Sequence, residues 1–197
     1  MLPNELPSSE LPLNELPPNE ERQPSRSVTL TVNGKSYQLA VGDGVNQVPS
    51  SHTLAQTLRE RLGLTGAKIS CDHGACGCCT VLMDGEAVLS CMLLTLECEG
   101  KEIITIEGLA DPVTGVLDPL QQSFIDHTAF QCGFCTPGII MSAKALLMRN
   151  PAPTLDDVKE SLSGNYCRCI THYHVLEAVL DVIQKGRKEE EEEGGRV

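Results

Sequence analysis

Apolar and polar positions divide the chain into a first part that favours strands and a second part that favours helices. In the first part, short alternating runs are joined by turn signals, of which Asn33-Gly34 and Asp84-Gly85 are the strongest. The predicted strands are Val28–Val32, Tyr37–Val41, Thr80–Met83, Glu86–Ser90 and Lys101–Ile106. Apolar residues spaced four apart predict one helix over Ser51–Leu62. This pattern indicates an α+β domain over residues 28–108.

The second part follows a helical period after a linker at residues 109–116. Its four apolar helical faces are predicted to start at Leu120, Ile139, Leu155 and Val175. Thr136 is a candidate N-cap because a proline occupies the first turn behind it. Thr154 with Asp157 three residues later resembles a capping box. Four helices with short connections predict a small helical bundle over residues 117–186.

The two ends of the chain have a different composition from the parts between them. Residues 1–27 repeat Leu-Pro-x-x-Glu three times, and proline supports neither a helix nor a sheet, so we expect a disordered arm there. An arm that docks its leucines on a partner is the alternative. Residues 187–197 include the run Glu189–Glu193 and are predicted to be an acidic, solvated tail.

Charge and length exclude some classes of function. The 197-residue chain has a net charge of −12, and a protein that binds nucleic acid needs clustered Lys and Arg, so we expect no nucleic-acid partner. No apolar run approaches the roughly 18–20 residues that span a bilayer. Residues 1–21 lack the features of a secretory signal, so we expect a cytoplasmic protein. In that reducing compartment the ten cysteines indicate metal or redox chemistry rather than disulfides.

The first set of cysteines has the spacing of a plant-type [2Fe–2S] site. Cys71-x4-Cys76-x2-Cys79 is followed, after eleven intervening residues, by Cys91, so a tight loop supplies three thiolates and the next segment supplies the fourth. Glycine permits unusual backbone angles, and two glycines lie inside this loop, at Gly74 and Gly77. They are predicted to curl the backbone and to direct N–H groups at the sulfurs.

The second set of cysteines is formed by two separated pairs. Its members are Cys132, Cys135, Cys167 and Cys169. Each pair precedes a predicted helix, near Pro137 and near His174, and a helix N-terminus favours anionic sulfur. A structural Zn(Cys)4 site and a thioredoxin-like Cys-Gly-Phe-Cys pair remain alternatives. The spacing favours a second iron–sulfur cluster.

The remaining cysteines and the nearby histidines are predicted to have minor roles. Cys78 and Cys98 are interpreted as buried, inert thiols. His73 lies inside the first loop and is interpreted as a polar loop residue, because four cysteines already complete that site. His172 and His174 are expected to cap a helix or to lie on the surface.

Together, both cysteine sets and their flanking residues resemble the small iron–sulfur subunit of the molybdenum hydroxylases, the family of xanthine dehydrogenase, aldehyde oxidoreductase and carbon monoxide dehydrogenase. The second set lies in Gln-Cys-Gly-Phe-Cys-Thr-Pro-Gly at residues 131–138 and in Gly-Asn-Tyr-Cys-Arg-Cys at residues 164–169. The resemblance covers residues 28–184. It implies a β-grasp plant-type ferredoxin domain over 28–108, followed by a four-helix bundle over 117–186.

The resemblance also implies a function in electron transfer. The bundle cluster would lie next to a molybdopterin in a large partner subunit, with Gln131 close to the pterin. Electrons would pass from it to the ferredoxin cluster and then to FAD in a medium partner subunit, within a heterotrimer or a dimer of heterotrimers. Where relatives often continue Thr-Gly-Tyr after the last cysteine pair, this chain has Ile-Thr-His-Tyr at residues 170–173. The alternatives are a stand-alone ferredoxin-like carrier and a binding module with two Zn(Cys)4 sites.

Overall fold

A computed structural model describes residues 26–170 and 172–194 of the chain. All five predicted strands are present, and they form one sheet. Its strands are β1 Ser27–Val32, β2 Lys35–Ala40, β3 Thr80–Met83, β4 Glu86–Leu89 and β5 Glu102–Ile104. The order across the sheet is β2-β1-β5-β3-β4, with β1 parallel to β5 and the other neighbours antiparallel. The predicted arm lies outside the described residues, apart from its last two.

Both hairpin turns form where the sequence predicts them. Asn33 and Gly34 have φ of 51° and 75°, and Asp84 and Gly85 have φ of 51° and 86°. Positive φ at both central residues matches the twist of the flanking strands, which is why Asn-Gly and Asp-Gly pairs are favoured there. The last strand is shorter than predicted because a 3₁₀ turn begins at Ile106.

One helix covers the sheet, and it is shorter than the predicted Ser51–Leu62. Helix α1 spans Leu54–Glu60 because Thr53 caps it: the Thr53 hydroxyl accepts from the backbone N–H of Gln56, and the Gln56 side chain accepts from the N–H of Thr53. Its buried leucines pack against β1. The core of this part contains Val28, Leu30, Val32, Leu54, Leu58, Val81 and Ile103.

Four further helices share a second core. They are α2 Pro119–Asp126, α3 Thr136–Arg149, α4 Leu155–Leu162 and α5 His172–Gly194. Buried residues from every one of them meet in this core, among them Phe124, Ile139, Val158 and Val175. The fold is therefore α+β, with a mixed sheet and five helices in the described residues.

Two further helix boundaries differ from the sequence predictions, and one is confirmed. Thr136 is not the N-cap of α3 but its first residue, because the Cys135 carbonyl already accepts the N–H of Ile139. The predicted capping box of Thr154 and Asp157 at α4 is present. Helix α5 continues to Gly194, through residues predicted as a solvated tail, because Glu and Lys are good helix formers.

The sheet part and the helical part meet directly. Leu82 of β3 packs with Met141 and Ala145 of α3. Gly138 lies so close to the cysteine loop that an added Cβ would fall 2.2 Å from the Gly77 carbonyl oxygen.

Across the described ranges, no helix combines the length and apolar character needed to cross a membrane.

Candidate metal centres

The first set of cysteines is assembled by one loop and one hairpin. Cys71, Cys76 and Cys79 lie in the loop before β3, and Cys91 lies in the 3₁₀ turn that follows β4. The β3–β4 hairpin returns Cys91 to Cys79, and the Ser90 hydroxyl holds this return by donating to the Cys79 carbonyl over 2.6 Å. Cys79 and Cys91 are buried, whereas Cys71 and Cys76 are partly exposed.

The four thiols of this first site interact as two pairs. Burial and then the neighbouring Cys79 thiol raise the pKa of Cys91 to about 12. At the outer pair, backbone N–H groups at His73 and Ala75, followed by the Cys76 thiol, lower the pKa of Cys71 to about 6. The lowered pKa makes Cys71 a thiolate at neutral pH, and the thiolate is the form that binds metal.

The two glycines of the first cysteine loop, Gly74 and Gly77, have different surroundings. Both lie in the left-handed region, Gly74 with φ of 79° and Gly77 with φ of 73°. The backbone N–H of Gly74 faces the Cys91 thiol and opposes the rise of its pKa. Gly77 instead contacts the helical part, where an added Cβ would lie 2.6 Å from both the Asn165 amide nitrogen and the Gly164 carbonyl.

The second set of cysteines is assembled by two loops between helices. Cys132 and Cys135 precede α3, and Cys167 and Cys169 precede α5, as the sequence predicts. The sulfurs of Cys132 and Cys169 lie 3.4 Å apart. All four cysteines line one cavity of about 360 Å³.

The second site also consists of an inner and an outer pair. Burial and then the Cys167 thiol raise the pKa of Cys135 to about 12. In the outer pair, the Phe134 backbone N–H and then the Cys169 thiol lower the pKa of Cys132. Cys132 and Cys169 are exposed, and Gln131 is exposed beside them.

The donor chemistry of both sites fits iron–sulfur clusters. Each site presents four soft sulfur donors as two adjacent pairs, and each iron of a [2Fe–2S] core takes two thiolates. In residues 26–170 and 172–194, no three such side chains converge tightly enough to hold a single metal ion. A two-iron core, whose irons are held by separate pairs, matches this arrangement.

A direct link between the two sites was not predicted from the sequence. The backbone N–H of Tyr166, next to Cys167, donates to the Cys76 carbonyl over 2.9 Å. The buried Asn165 side chain donates to the neighbouring Gly77 carbonyl over 3.2 Å. No local sequence pattern indicates a contact between residues about ninety positions apart. The available signal is that Asn165 and Tyr166 directly precede Cys167, a predicted ligand.

The histidines and the unassigned cysteines mostly take the expected places. His73 Nδ1 contacts the Cys71 carbonyl within the loop, and His174 contacts Glu177 on the surface. Cys78 and Cys98 are buried, as expected. Cys78, however, also lines the cavity of the second site.

Comparisons with known proteins identify two iron–sulfur-binding domains in this chain. A model of 2Fe-2S iron-sulfur cluster binding domains matches residues 31–110, and a model of [2Fe-2S] binding domains matches residues 105–180. The small subunit of nicotine 6-hydroxylase from Paenarthrobacter nicotinovorans is 48% identical over 78% of this chain and 87% of that protein. The iron-sulfur-binding subunit of aldehyde oxidoreductase from Escherichia coli K12 is 42% identical over 78% of this chain and 70% of that protein.

A solved structure extends the agreement to the fold. Quinoline 2-oxidoreductase from Pseudomonas putida 86 contains a chain that superposes with a TM-score of 0.74 at 41% identity. The match covers 83% of this chain and 97% of that one. With two matching iron–sulfur domains in the order of its two cysteine sites, this chain belongs to the small iron–sulfur subunits of the molybdenum hydroxylase family.

Proposed function

We propose that this chain is the electron-relay subunit of a cytoplasmic, multi-subunit molybdenum hydroxylase or dehydrogenase. It holds two [2Fe–2S] clusters between a molybdopterin in a large partner subunit and FAD in a medium partner subunit, and substrate chemistry takes place on a partner. The observation that carries the proposal is the presence of two four-cysteine sites linked by a backbone hydrogen bond. In fold terms, the sheet part is the β-grasp ferredoxin domain and α2–α5 are the four-helix bundle.

Each pair of cysteines is assigned to one iron. In the first site the pairs are Cys71 with Cys76 and Cys79 with Cys91, and in the second they are Cys132 with Cys169 and Cys135 with Cys167. A bound [2Fe–2S] cluster supplies one-electron redox chemistry. Backbone N–H groups that already point at sulfurs, such as Ala75 to Cys71 at 3.3 Å and Ile170 to Cys167 at 3.4 Å, stabilise the negative charge.

The contact between the sites supports transfer within one chain. The backbone N–H of Tyr166, the residue before Cys167, donates to the carbonyl of Cys76. One hydrogen bond therefore connects the segment that holds a ligand of the second site to a ligand of the first. Gly77 and Gly138 let the two parts approach closely enough to form it.

The surface around the second site supports a partner at that end. Aromatic residues make up only 3% of the chain, yet Phe134 and Tyr166, both lining the second cavity, are 43% and 64% exposed. Aromatic residues are enriched at the centres of protein interfaces. A large subunit that covers this rim would also shield Cys132, Cys169 and the exposed Gln131, which we assign to the pterin side.

The test is metal analysis and electron paramagnetic resonance (EPR) of the purified complex. We expect about four iron and four sulfide per copy of this chain and two distinct signals on reduction, as two [2Fe–2S] clusters require. Cys71→Ser should remove one signal and Cys132→Ser the other, whereas Cys98→Ser, at a buried cysteine outside both sites, should keep both. Colourless protein with zinc would support the Zn(Cys)4 module instead, and an iron-containing monomer without flavin or molybdenum partners would support the stand-alone carrier.

A further inference from the structure

Met92 is an exposed apolar residue at the edge of the first site. It directly follows Cys91, the proposed fourth ligand, and 57% of its surface is exposed. Its side chain nevertheless contacts the cysteine loop, because an added Cβ on Gly74 would lie 3.0 Å from both Cγ and Sδ of Met92. The residue after the last ligand therefore reaches the middle of the loop that holds Cys71 and Cys76.

This contact lies where the loop and the β3–β4 hairpin meet. The backbone N–H of Gly74 faces the Cys91 thiol, and Met92 lies against the same glycine. Leu89, at the end of β4, also approaches it, since its Cδ1 would lie 3.8 Å from the added Cβ. Leu89 packs in one apolar cluster with Cys79 and Cys91. Two apolar side chains therefore border the junction between the loop and the last ligand.

The glycine at position 74 makes room for the methionine. Gly74 has a φ of 79°, an angle that side chains rarely adopt. A Cβ at this position would in addition occupy the space next to the Met92 thioether. Methionine is unbranched and has three rotatable bonds, so it can follow an irregular surface closely. The bare loop backbone and the Met92 side chain are therefore complementary in shape.

We propose that Met92 shields the first cluster from water and thereby lowers its reduction potential. The inference rests on the proposed function, because it requires a cluster held by the first four cysteines. A cluster gains one negative charge on reduction, and water stabilises the more highly charged form, so the exclusion of water disfavours reduction. The same shield slows attack on the cluster from solvent.

The test is a redox titration, followed by EPR, of the full chain separated from its partners, so that no other subunit covers the loop. Cys71→Ser identifies the first-site signal. In Met92→Ala we expect the equilibrium constant for reduction of the first cluster to rise roughly threefold, which is about 30 mV at 59 mV per tenfold. Met92→Gln keeps the length of the side chain but not its apolar character and should give a similar rise. Met92→Leu remains apolar and should stay close to the wild-type value.

Met148→Ala is the matched control, because Met148 is also an exposed methionine but lies beside Gly85 in the β3–β4 turn. It should shift neither potential.

Three results would overturn the proposal. The first is an unchanged potential of the first cluster in Met92→Ala and Met92→Gln, or an equal shift of both clusters. The second is a shift in Met92→Leu as large as in Met92→Ala, because an apolar cover is then not what matters. The third is loss of the first cluster from both Met92→Ala and Met92→Gln, which would show a purely structural role. Failure of the proposed function would appear earlier, as a wild-type chain without two cluster signals.

Discussion

The two cysteine sites reach the same number of donors by different routes. The first takes three cysteines from nine consecutive residues and the fourth from a hairpin, and half of its cysteines are buried. The second joins two helix-connecting loops about thirty residues apart, and two of its four cysteines are exposed. A site built locally is closed by its own chain, whereas a site built from distant loops depends on how the helices pack and leaves a face for another protein.

If the two sites were independent modules, the comparison above would be wrong. A substitution at Gly138 is the strongest test of this. Alanine normally stabilises a helix relative to glycine by about 1 kcal/mol. At Gly138 its Cβ would lie 2.2 Å from the Gly77 carbonyl, so we expect Gly138→Ala to destabilise the protein by about 2–3 kcal/mol through overpacking. Both EPR signals should change, because the displaced backbone carries the first loop.

The matched control for this prediction is Gly186→Ala. Gly186 also lies within a helix, and nothing stands within 4 Å of an added Cβ. We expect it to leave both signals unchanged and to raise the midpoint of thermal unfolding slightly. If Gly138→Ala behaved like Gly186→Ala, the close contact between the sites would be refuted.

Two substitutions with smaller expected effects on stability distinguish a hydrogen bond within the sheet part from one between the helical part and the sheet part. Asn165 and Thr80 both donate to the Gly77 carbonyl, the first from the helical part over 3.2 Å and the second from β3 over 2.7 Å. We expect Asn165→Ala and Thr80→Val each to lower the free energy of unfolding by about 1 kcal/mol, the value of one hydrogen bond. Only Asn165→Ala should perturb the second-site EPR signal, because Asn165 precedes the loop that holds Cys167. Equal perturbation of this signal by the two variants would contradict the prediction.

The smallest expected effect concerns exposure. Solvent access controls how readily a metal site is attacked, and the outer pair of the second site is exposed. When the chain is separated from its partners and treated with a chelator, the second-site EPR signal should decay several-fold faster than the first. In the intact complex the two rates should approach each other, because the proposed partner would cover the rim. If the first-site EPR signal decayed faster than the second-site signal in the separated chain, the prediction would be contradicted.

Sequence patterns predicted those features of the fold that depend on residues close together in the chain. The turns at Asn33-Gly34 and Asp84-Gly85 and the capping box at Thr154 are local, and the structure contains all three. The capping box at Thr53 was equally local, but apolar spacing placed the start of that helix at Ser51. The cysteine spacing likewise led to the correct family.

Contacts between distant segments could not be predicted from the sequence. The side of the backbone to which Cys78 turns depends on the packing of α3, and the Tyr166–Cys76 hydrogen bond depends on the closing of two loops. Neither leaves a local pattern in composition or period. For this reason Cys78 was expected to be buried but not to line the second site.

The start of α3 has a consequence for the stability of the helical part. Helices α1, α2 and α4 each begin with a complete capping box, whereas the N-cap of α3, Cys135, makes no side-chain hydrogen bond. A thiolate at that position interacts favourably with the positive end of the helix dipole. Because metal binding stabilises the folded state that presents its ligands, a cluster in the proposed second site should stabilise the first turn of α3. Among helices α1 to α4, the one that starts without a side-chain cap is therefore the one that the proposed second cluster would stabilise.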